Sequence, residues 1–151
     1  MKKPLFIITL LILTFQSCKG TPDYMDDQKL CALLVEMTDE DQYYRNQYSE
    51  SLTKEFRDSI LKLQHKVDLK NTELLIEIVN SRGWPNKDSL GCTEFGAPMI
   101  IFRHAPDEYF TEVQNLIDKE FSEGRLDGFT HAFIDNHLNG RPGMNFKINE
   151  E

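Results

Sequence analysis

Apolar residues recur at three- and four-residue steps along the first half of this chain, a spacing that places them on one face of an α-helix. We predict helices over 28–37, 39–66 and 68–80. Their apolar positions are Leu30, Leu33, Leu34 and Met37, then Tyr44, Tyr48, Leu52, Phe56, Ile60 and Leu63, and finally Leu74, Leu75, Ile78 and Val79. The pattern favours an all-α, mainly helical fold.

Capping signals set the expected boundaries of these helices. Thr38 followed by Asp41 resembles a capping box, and Asn71-Thr72 supplies an N-cap candidate for the third helix. Gly83 is expected to end that helix, with Pro85 close behind. The segment from Gly83 to Gly91 is therefore predicted to be a loop.

The second half continues in the same way. The segment from Gly96 to Ala105 is apolar on most sides, so it could be a central helix or a buried strand. We favour the helix because no partner strand is evident. Pro106 is expected to open a helix that ends at Gly124, and a last helix spans about Gly128 to Leu138. Residues 28–151 thus form a single compact domain of about five or six helices.

The first seventeen residues have the three parts of a secretory signal. Met1-Lys2-Lys3 is basic, the run from Pro4 to Phe15 is almost wholly apolar, and Ser17 is a small residue before Cys18. A membrane-spanning helix needs about 20 apolar residues, so this run is too short for one. We predict a cleaved signal over 1–17.

The cysteine after the cut is typical of a bacterial lipoprotein, in which acylated Cys18 becomes the new N-terminus. Phe15 and Gln16 are atypical of the lipobox, and an ordinary signal or an uncleaved anchor is the alternative. Residues 18–27 would then be a tether. The protein is expected in the cell envelope, held to the outer membrane or the periplasmic face by its lipid.

The chain is acidic, with 17 Lys+Arg and 25 Asp+Glu. Loss of the two signal lysines lowers its net charge from −8 to −10. Because basic surface supplies most of the affinity for nucleic acid, we expect no nucleic-acid partner. The partners left are the membrane and an envelope protein or small ligand.

Cys31 and Cys92 remain once Cys18 is lipidated. They could pair in an oxidising compartment, but the sequence does not bring them together, and we expect two separate buried thiols. No Cys/His spacing typical of zinc occurs, nor a phosphate loop, HExxH or GxSxG. The sequence therefore indicates no metal and no cofactor.

A few polar residues are candidates for a site. His104 follows an apolar segment; its simplest interpretation is a core or capping histidine, and the alternative is a general base or ligand. His131 and Asp135 share a helix face. They are interpreted as an ordinary surface pair; alternatively, the Asp135 carboxylate orients the His131 imidazole, as in many catalytic or metal sites. With His104 they would make a three-ligand set, which we do not favour.

Asp41, Gln42 and Arg45 lie within one helical turn. Arg45 pairing with Asp41 is an ordinary helix contact; alternatively, Arg45 faces a cleft with His104 and binds an anion through its planar fork of donors. Trp84 is interpreted as a packing residue, with a ligand platform as the alternative.

Taken together and in this order, these elements resemble a bacterial family of domains of unknown function found in secreted or lipid-anchored proteins. The resemblance covers roughly Asp39 to Leu138. Its elements are Asp41-Gln42-x-x-Arg45, Asn71-Thr72, Gly83-Trp84-Pro85, Gly91 to Ala97, Arg103-His104-Ala105-Pro106 and Asp135-Asn136. The resemblance implies a mainly helical fold and supplies no activity.

The chain departs from the family pattern at three positions and lacks its C-terminal tail motif. Arg103 stands in place of Gln, Pro106 in place of Asp, and Asn136 in place of Arg. If the polar elements of the family form a common site, these departures alter part of it here.

The sequence leaves the function open between two classes. The first hypothesis is an envelope module that binds a protein or small ligand. The alternative is a hydrolase-like enzyme that uses His104 with Asp41, Arg45 or Asp135. A structural role in the envelope is a third possibility. The convergence of these four residues in one place would separate the first two hypotheses.

Overall fold

The first two helices are long and form an antiparallel hairpin. The computed structural model describes residues 23–141, so the predicted signal, Cys18 and residues 142–151 lie outside it. Helix α1 spans Asp27–Gln47 and α2 spans Lys54–Arg82. Arg82 forms an ion pair with Asp27 at one end of the hairpin, and Lys70 lies 2.8 Å from Glu40 further along it. A turn of 3-10 helix, Asp23–Met25, precedes α1 and packs against it.

The helix predicted over 39–66 is wrong, because the chain turns back inside it. Tyr48 adopts an extended conformation that ends α1, and Thr53 caps α2 by accepting a hydrogen bond from the Phe56 amide at 3.4 Å. Arg57 closes the connection by donating to the carbonyls of residues 50 and 52. The apolar stripe that suggested one helix is thus divided between two.

Two predicted helix starts are also wrong. Thr38 lies inside α1, where its hydroxyl donates to the Leu34 carbonyl at 2.8 Å and accepts from the Ala97 amide at 2.8 Å. Asn71 and Thr72 are buried inside α2. The Asn71 side-chain amide donates to the Met37 carbonyl at 3.0 Å, across the hairpin. The side chains that were expected to cap helices therefore form hydrogen bonds with other parts of the fold instead.

Gly83 ends α2 as predicted, with a φ of 79° that a residue with a side chain rarely adopts. The expected loop after it contains a short helix, α3 (Lys87–Leu90), capped by Asn86. Helix α4 (Pro98–Arg103) then packs against α1, α2 and the last helix. The helical interpretation of the segment from Gly96 to Ala105 is thereby confirmed.

The last two helices complete the domain. A 3-10 turn, Asp107–Tyr109, follows Pro106 and leads into α5 (Phe110–Ser122). Gly124, at a φ of 72°, makes the turn toward α6 (Gly128–Leu138), whose N-cap is Asp127. The end at Gly124 and the bounds of α6 agree with the sequence pattern.

One continuous core joins five of these helices. The all-α fold and the single compact domain of six α-helices are confirmed, with no strand in residues 23–141. The most deeply buried core residues are Leu30, Leu34, Met37, Leu75, Ile78, Val79, Ile101, Phe102, Val113, Ile117 and Ile134. Within the described part of the chain, no helix is both long and apolar enough to cross a membrane.

A disulfide joins Cys31 of α1 to Cys92, just beyond α3. The expectation of two separate thiols is wrong. Helix α3 folds back onto α1, which brings the two Cα atoms to 5.6 Å, within the range a disulfide spans. The pairing depends on this packing, for which the local sequence around either cysteine has no signal.

Candidate functional site

The carboxylate of Asp41 is the centre of a buried polar cluster. Asp41 faces inward from α1 and is only 2% exposed. Its oxygens accept hydrogen bonds from Gln42 Nε2 at 2.6 Å, Arg45 Nη1 at 3.1 Å and His104 Nδ1 at 3.0 Å. These donors satisfy the oxygens of the buried carboxylate. The structure therefore brings together four of the predicted site residues.

Arg45 extends the cluster to α2. Its Nη1 donates to the side chain and, at 2.7 Å, to the backbone carbonyl of Asp41, while its Nη2 lies 2.9 Å from both carboxylate oxygens of Asp68. Burial raises the pKa of Asp68, and the Arg45 guanidinium acts in the opposite direction. Sequence reasoning missed Asp68, because only the hairpin brings it opposite Arg45.

His104 reaches the cluster from the end of α4. It is the C-cap of that helix, and its side chain is 20% exposed. Because the Asp41 oxygens act as acceptors for all the side chains around them, His104 Nδ1 is the donor in this contact. The other ring nitrogen, Nε2, then has a free lone pair in the neutral ring, and it has no hydrogen-bond partner within residues 23–141. An imidazole oriented in this way can accept a proton or hold a ligand.

Two buried polar residues of α2 lie one turn beyond Asp68. Asn71 and Thr72 are fully enclosed, and neither Asn71 Oδ1 nor Thr72 Oγ1 has a partner in the described part of the chain. The Asn71 amide bonds to α1 one turn before Asp41. Thus the Asn-Thr pair marked by the resemblance lies beside the cluster rather than at a helix start.

A second histidine lies close to His104, although no sequence pattern singled it out. His137 of α6 lies 2.9 Å from the Ala105 carbonyl through Nε2, and its Nδ1 accepts from Arg141 Nε at 3.1 Å. With Nδ1 accepting and Nε2 donating, His137 is neutral. Burial accordingly lowers the pKa of His137.

The other predicted histidine pair does not form. His131 Nε2 lies 2.7 Å from Asp118 of α5, and its ring stacks on Phe121. Asp135 instead accepts a hydrogen bond from Asn139 at 3.0 Å. The hydrogen bond from His131 lowers the pKa of Asp118. His131 therefore bonds to α5 rather than to Asp135 on its own helix face.

Within residues 23–141 no group of three or more histidine, cysteine or carboxylate side chains is arranged to hold a metal ion.

Trp84 packs against the core and lines a separate cavity. Its ring lies 5.9 Å from that of Phe102, and its amide donates to Glu120 at 2.8 Å. The other side of Trp84 faces a surface cavity of about 350 Å³, lined also by Phe95 and Met99. That lining includes neither Asp41 nor His104, so the structure does not bring Trp84 into the Asp41 cluster.

Comparison of the chain with protein-family models, curated proteins and solved structures gives no match.

Proposed function

We propose that this protein is an exported, lipid-anchored domain of the bacterial cell envelope. Its first residues have the basic, apolar and small-residue parts of a lipoprotein signal ending at Cys18. The Cys31–Cys92 disulfide supports export, because disulfides persist in oxidising compartments and are rare in the cytosol.

Labelling with a palmitate analogue tests the anchor. Cys18→Ala should abolish labelling and release the protein from the membrane fraction. The matched control is the double variant Cys31→Ser/Cys92→Ser, which should keep both the label and the membrane location. Equal labelling of Cys18→Ala would contradict the proposal.

We further propose that the domain binds a small ligand at His104. The observation that carries this proposal is the hydrogen bond from His104 Nδ1 to buried Asp41, which leaves Nε2 of a partly exposed ring without a partner in the described residues. His137, by contrast, uses both ring nitrogens within the fold.

A thermal-shift screen of small molecules tests this site. Compounds that raise the melting temperature of the wild-type protein should lose their effect in His104→Ala. His131→Ala is the matched control, since it removes a histidine that contacts α5 instead. Binding that is unchanged in His104→Ala would contradict the proposed site. The unliganded melting temperature of each variant shows whether the fold is intact.

The second candidate is a hydrolase-like enzyme in which His104 acts as a general base. The orientation of its ring by Asp41 favours this candidate, because such pairs fix the tautomer that accepts a proton. The base would act on water, since no Ser, Thr or Cys side chain bonds to His104 in residues 23–141. Turnover of an ester or amide library that falls about 100-fold or more in His104→Ala would favour this candidate; absence of turnover would favour the binding module.

A further inference from the structure

Arg103, the residue before His104, is a cation without an anionic partner in the part of the chain that the structure describes. Its guanidinium lies 4.8 Å above the ring of Phe133, and it forms no ion pair within residues 23–141. Its Nη1 atom is buried and has no hydrogen-bond partner among residues 23–141. A buried donor without a partner is destabilising, and the contact with Phe133 does not supply a hydrogen-bond acceptor for Nη1.

The charged group nearest to Arg103 in the electrostatics of the domain is a second cation, Arg141. Arg141 Nη2 approaches the Arg103 carbonyl at 3.4 Å, and its Nε donates to His137. Burial, together with the charge of Arg141, lowers the pKa of Arg103. Hydrogen bonds join Arg141 to His137 and to the Arg103 carbonyl, and His137 to the Ala105 carbonyl, so the ends of α4 and α6 meet at one corner of the domain. Two arginine side chains therefore lie at this corner although the chain as a whole has a net charge of −8.

The ends of α4 and α6 account for part of this charge. Both helices present their C-termini here, and the partial negative charge of a helix C-terminus favours a nearby cation. A carbonyl at the end of a helix is a single acceptor, however, and it cannot bind two N–H groups of a guanidinium side by side. Paired N–H donors of that geometry match the two oxygens of a carboxylate or phosphate.

We propose that the ligand bound at His104 carries an oxyanion, which Arg103 and Arg141 hold beside the free Nε2 of His104. The inference rests on the proposed ligand site at His104. It names the chemical class of the ligand: a small molecule with a carboxylate or phosphate group.

Titration of the purified full-length protein with inorganic phosphate and with acetate, against sodium chloride at matched ionic strength, tests this proposal. We expect one of the two anions to raise the melting temperature saturably, and the stronger one identifies a phosphate or a carboxylate ligand. Arg103→Gln should weaken that anion at least about tenfold, as expected for loss of charge-assisted hydrogen bonds. Arg103→Lys, which keeps the charge and loses the fork, should give an intermediate affinity.

The matched control is Lys62→Gln, which removes a positive charge from an exposed position on α2. Its affinity for the anion should equal that of the wild-type protein. The melting temperature of each variant without added anion shows whether the fold is retained.

Two results would overturn the proposal: no stabilisation beyond that of chloride, or equal anion affinity in Arg103→Gln and wild type. Anion binding that depends on Arg103 but is unchanged in His104→Ala would contradict the proposal that the anion and the His104 ligand occupy one site. These results are distinct from failure of the proposed function. If neutral compounds lose binding in His104→Ala while neither anion binds, the His104 site stands and only its anionic specificity fails.

Discussion

Asp41 is the residue on which the polar cluster depends, because it is the acceptor for three side chains from two parts of the chain. Gln42 and Arg45 come from its own helix, and His104 comes from the end of α4. Removing its charge would leave a largely buried guanidinium and an imidazole competing for fewer acceptors. Loss of one partner from a buried ion pair is far more costly than loss of an exposed pair.

We therefore expect Asp41→Asn to lower the free energy of unfolding by about 3 kcal/mol, measured by urea denaturation. Asp58→Asn is the matched control. Asp58 pairs with Lys54 at the same i,i+4 relation on α2, but its side chain is 49% exposed, so the loss should be below about 0.5 kcal/mol. An equal loss of unfolding free energy in the two variants would show that the buried contacts of Asp41 stabilise the fold no more than an exposed ion pair does.

Glu120 gives a prediction about pH. Its side chain has no exposed surface, it accepts two hydrogen bonds from Arg125 at 2.6 Å, and it accepts one from the Trp84 amide. The hydrogen bonds from Arg125, with a further contribution from Trp84, lower the pKa of Glu120 below its ordinary value of 4.5. A carboxyl whose folded pKa is lowered stabilises the fold above its unfolded pKa, and this stability is lost as the pH falls through the folded pKa.

Glu120→Gln should accordingly reduce the free energy of unfolding by about 1–2 kcal/mol at pH 7. This is at the low end for a hydrogen-bonded buried charge, because Arg125 is partly exposed and its charge is screened by solvent. The difference from wild type should shrink as the pH falls below 4.5. Glu123→Gln removes the other, exposed carboxylate on Arg125 and should change stability by only a few tenths of a kcal/mol. A wild-type advantage that grows toward low pH would contradict this assignment.

At the scale of elements, α4 lies close to α1 because of one glycine. A Cβ built on Gly96 would overlap the carbonyl of Leu34 and meet the hydroxyl of Thr38. The same approach lets the Ala97 amide bond to Thr38. Gly96 thus sets the position of α4, and with it the reach of His104 toward Asp41.

Gly96→Ala should destabilise the domain by about 3 kcal/mol or more, because the clash is with backbone atoms that cannot move independently. Gly128→Ala is the matched control: it lies at the start of α6, with its nearest neighbour, Phe121, at 3.7 Å. That change should be neutral or stabilising by up to about 1 kcal/mol, since alanine is the better helix former. Thermal unfolding of both variants measures the contrast. Similar melting temperatures would contradict the close approach.

The helix boundaries show which element signals are reliable. Gly83 and Gly124 ended helices as predicted, because a φ near 75° is a local property of glycine. Thr38 and Asn71 did not begin helices, because their side chains bond to other elements. A polar residue in the middle of a helix has the same local pattern as a cap, and only its tertiary partner distinguishes the two.

At the scale of the whole molecule, the Cys31–Cys92 disulfide closes a loop that contains α2 and most of α1. The two residues are 61 positions apart, so the cross-link restricts a large part of the unfolded chain. Reduction should lower the free energy of unfolding by about 2–4 kcal/mol, measured with and without reductant. The double variant Cys31→Ser/Cys92→Ser should be insensitive to reductant. A wild-type midpoint unchanged by reductant would contradict this contribution.

The sequence by itself determined the helical class, the single domain and the helix ends at glycines, because periodicity and backbone preference are local. It also marked Asp41, Gln42, Arg45 and His104 as candidates. The tertiary structure alone decided that Asp68 joins them and that His131 and Asp135 do not. It likewise decided that Cys31 pairs with Cys92. The contacts of Asp68 and His131 and the disulfide depend on which helix faces meet across 13 to 61 residues of chain, and no local pattern encodes that meeting.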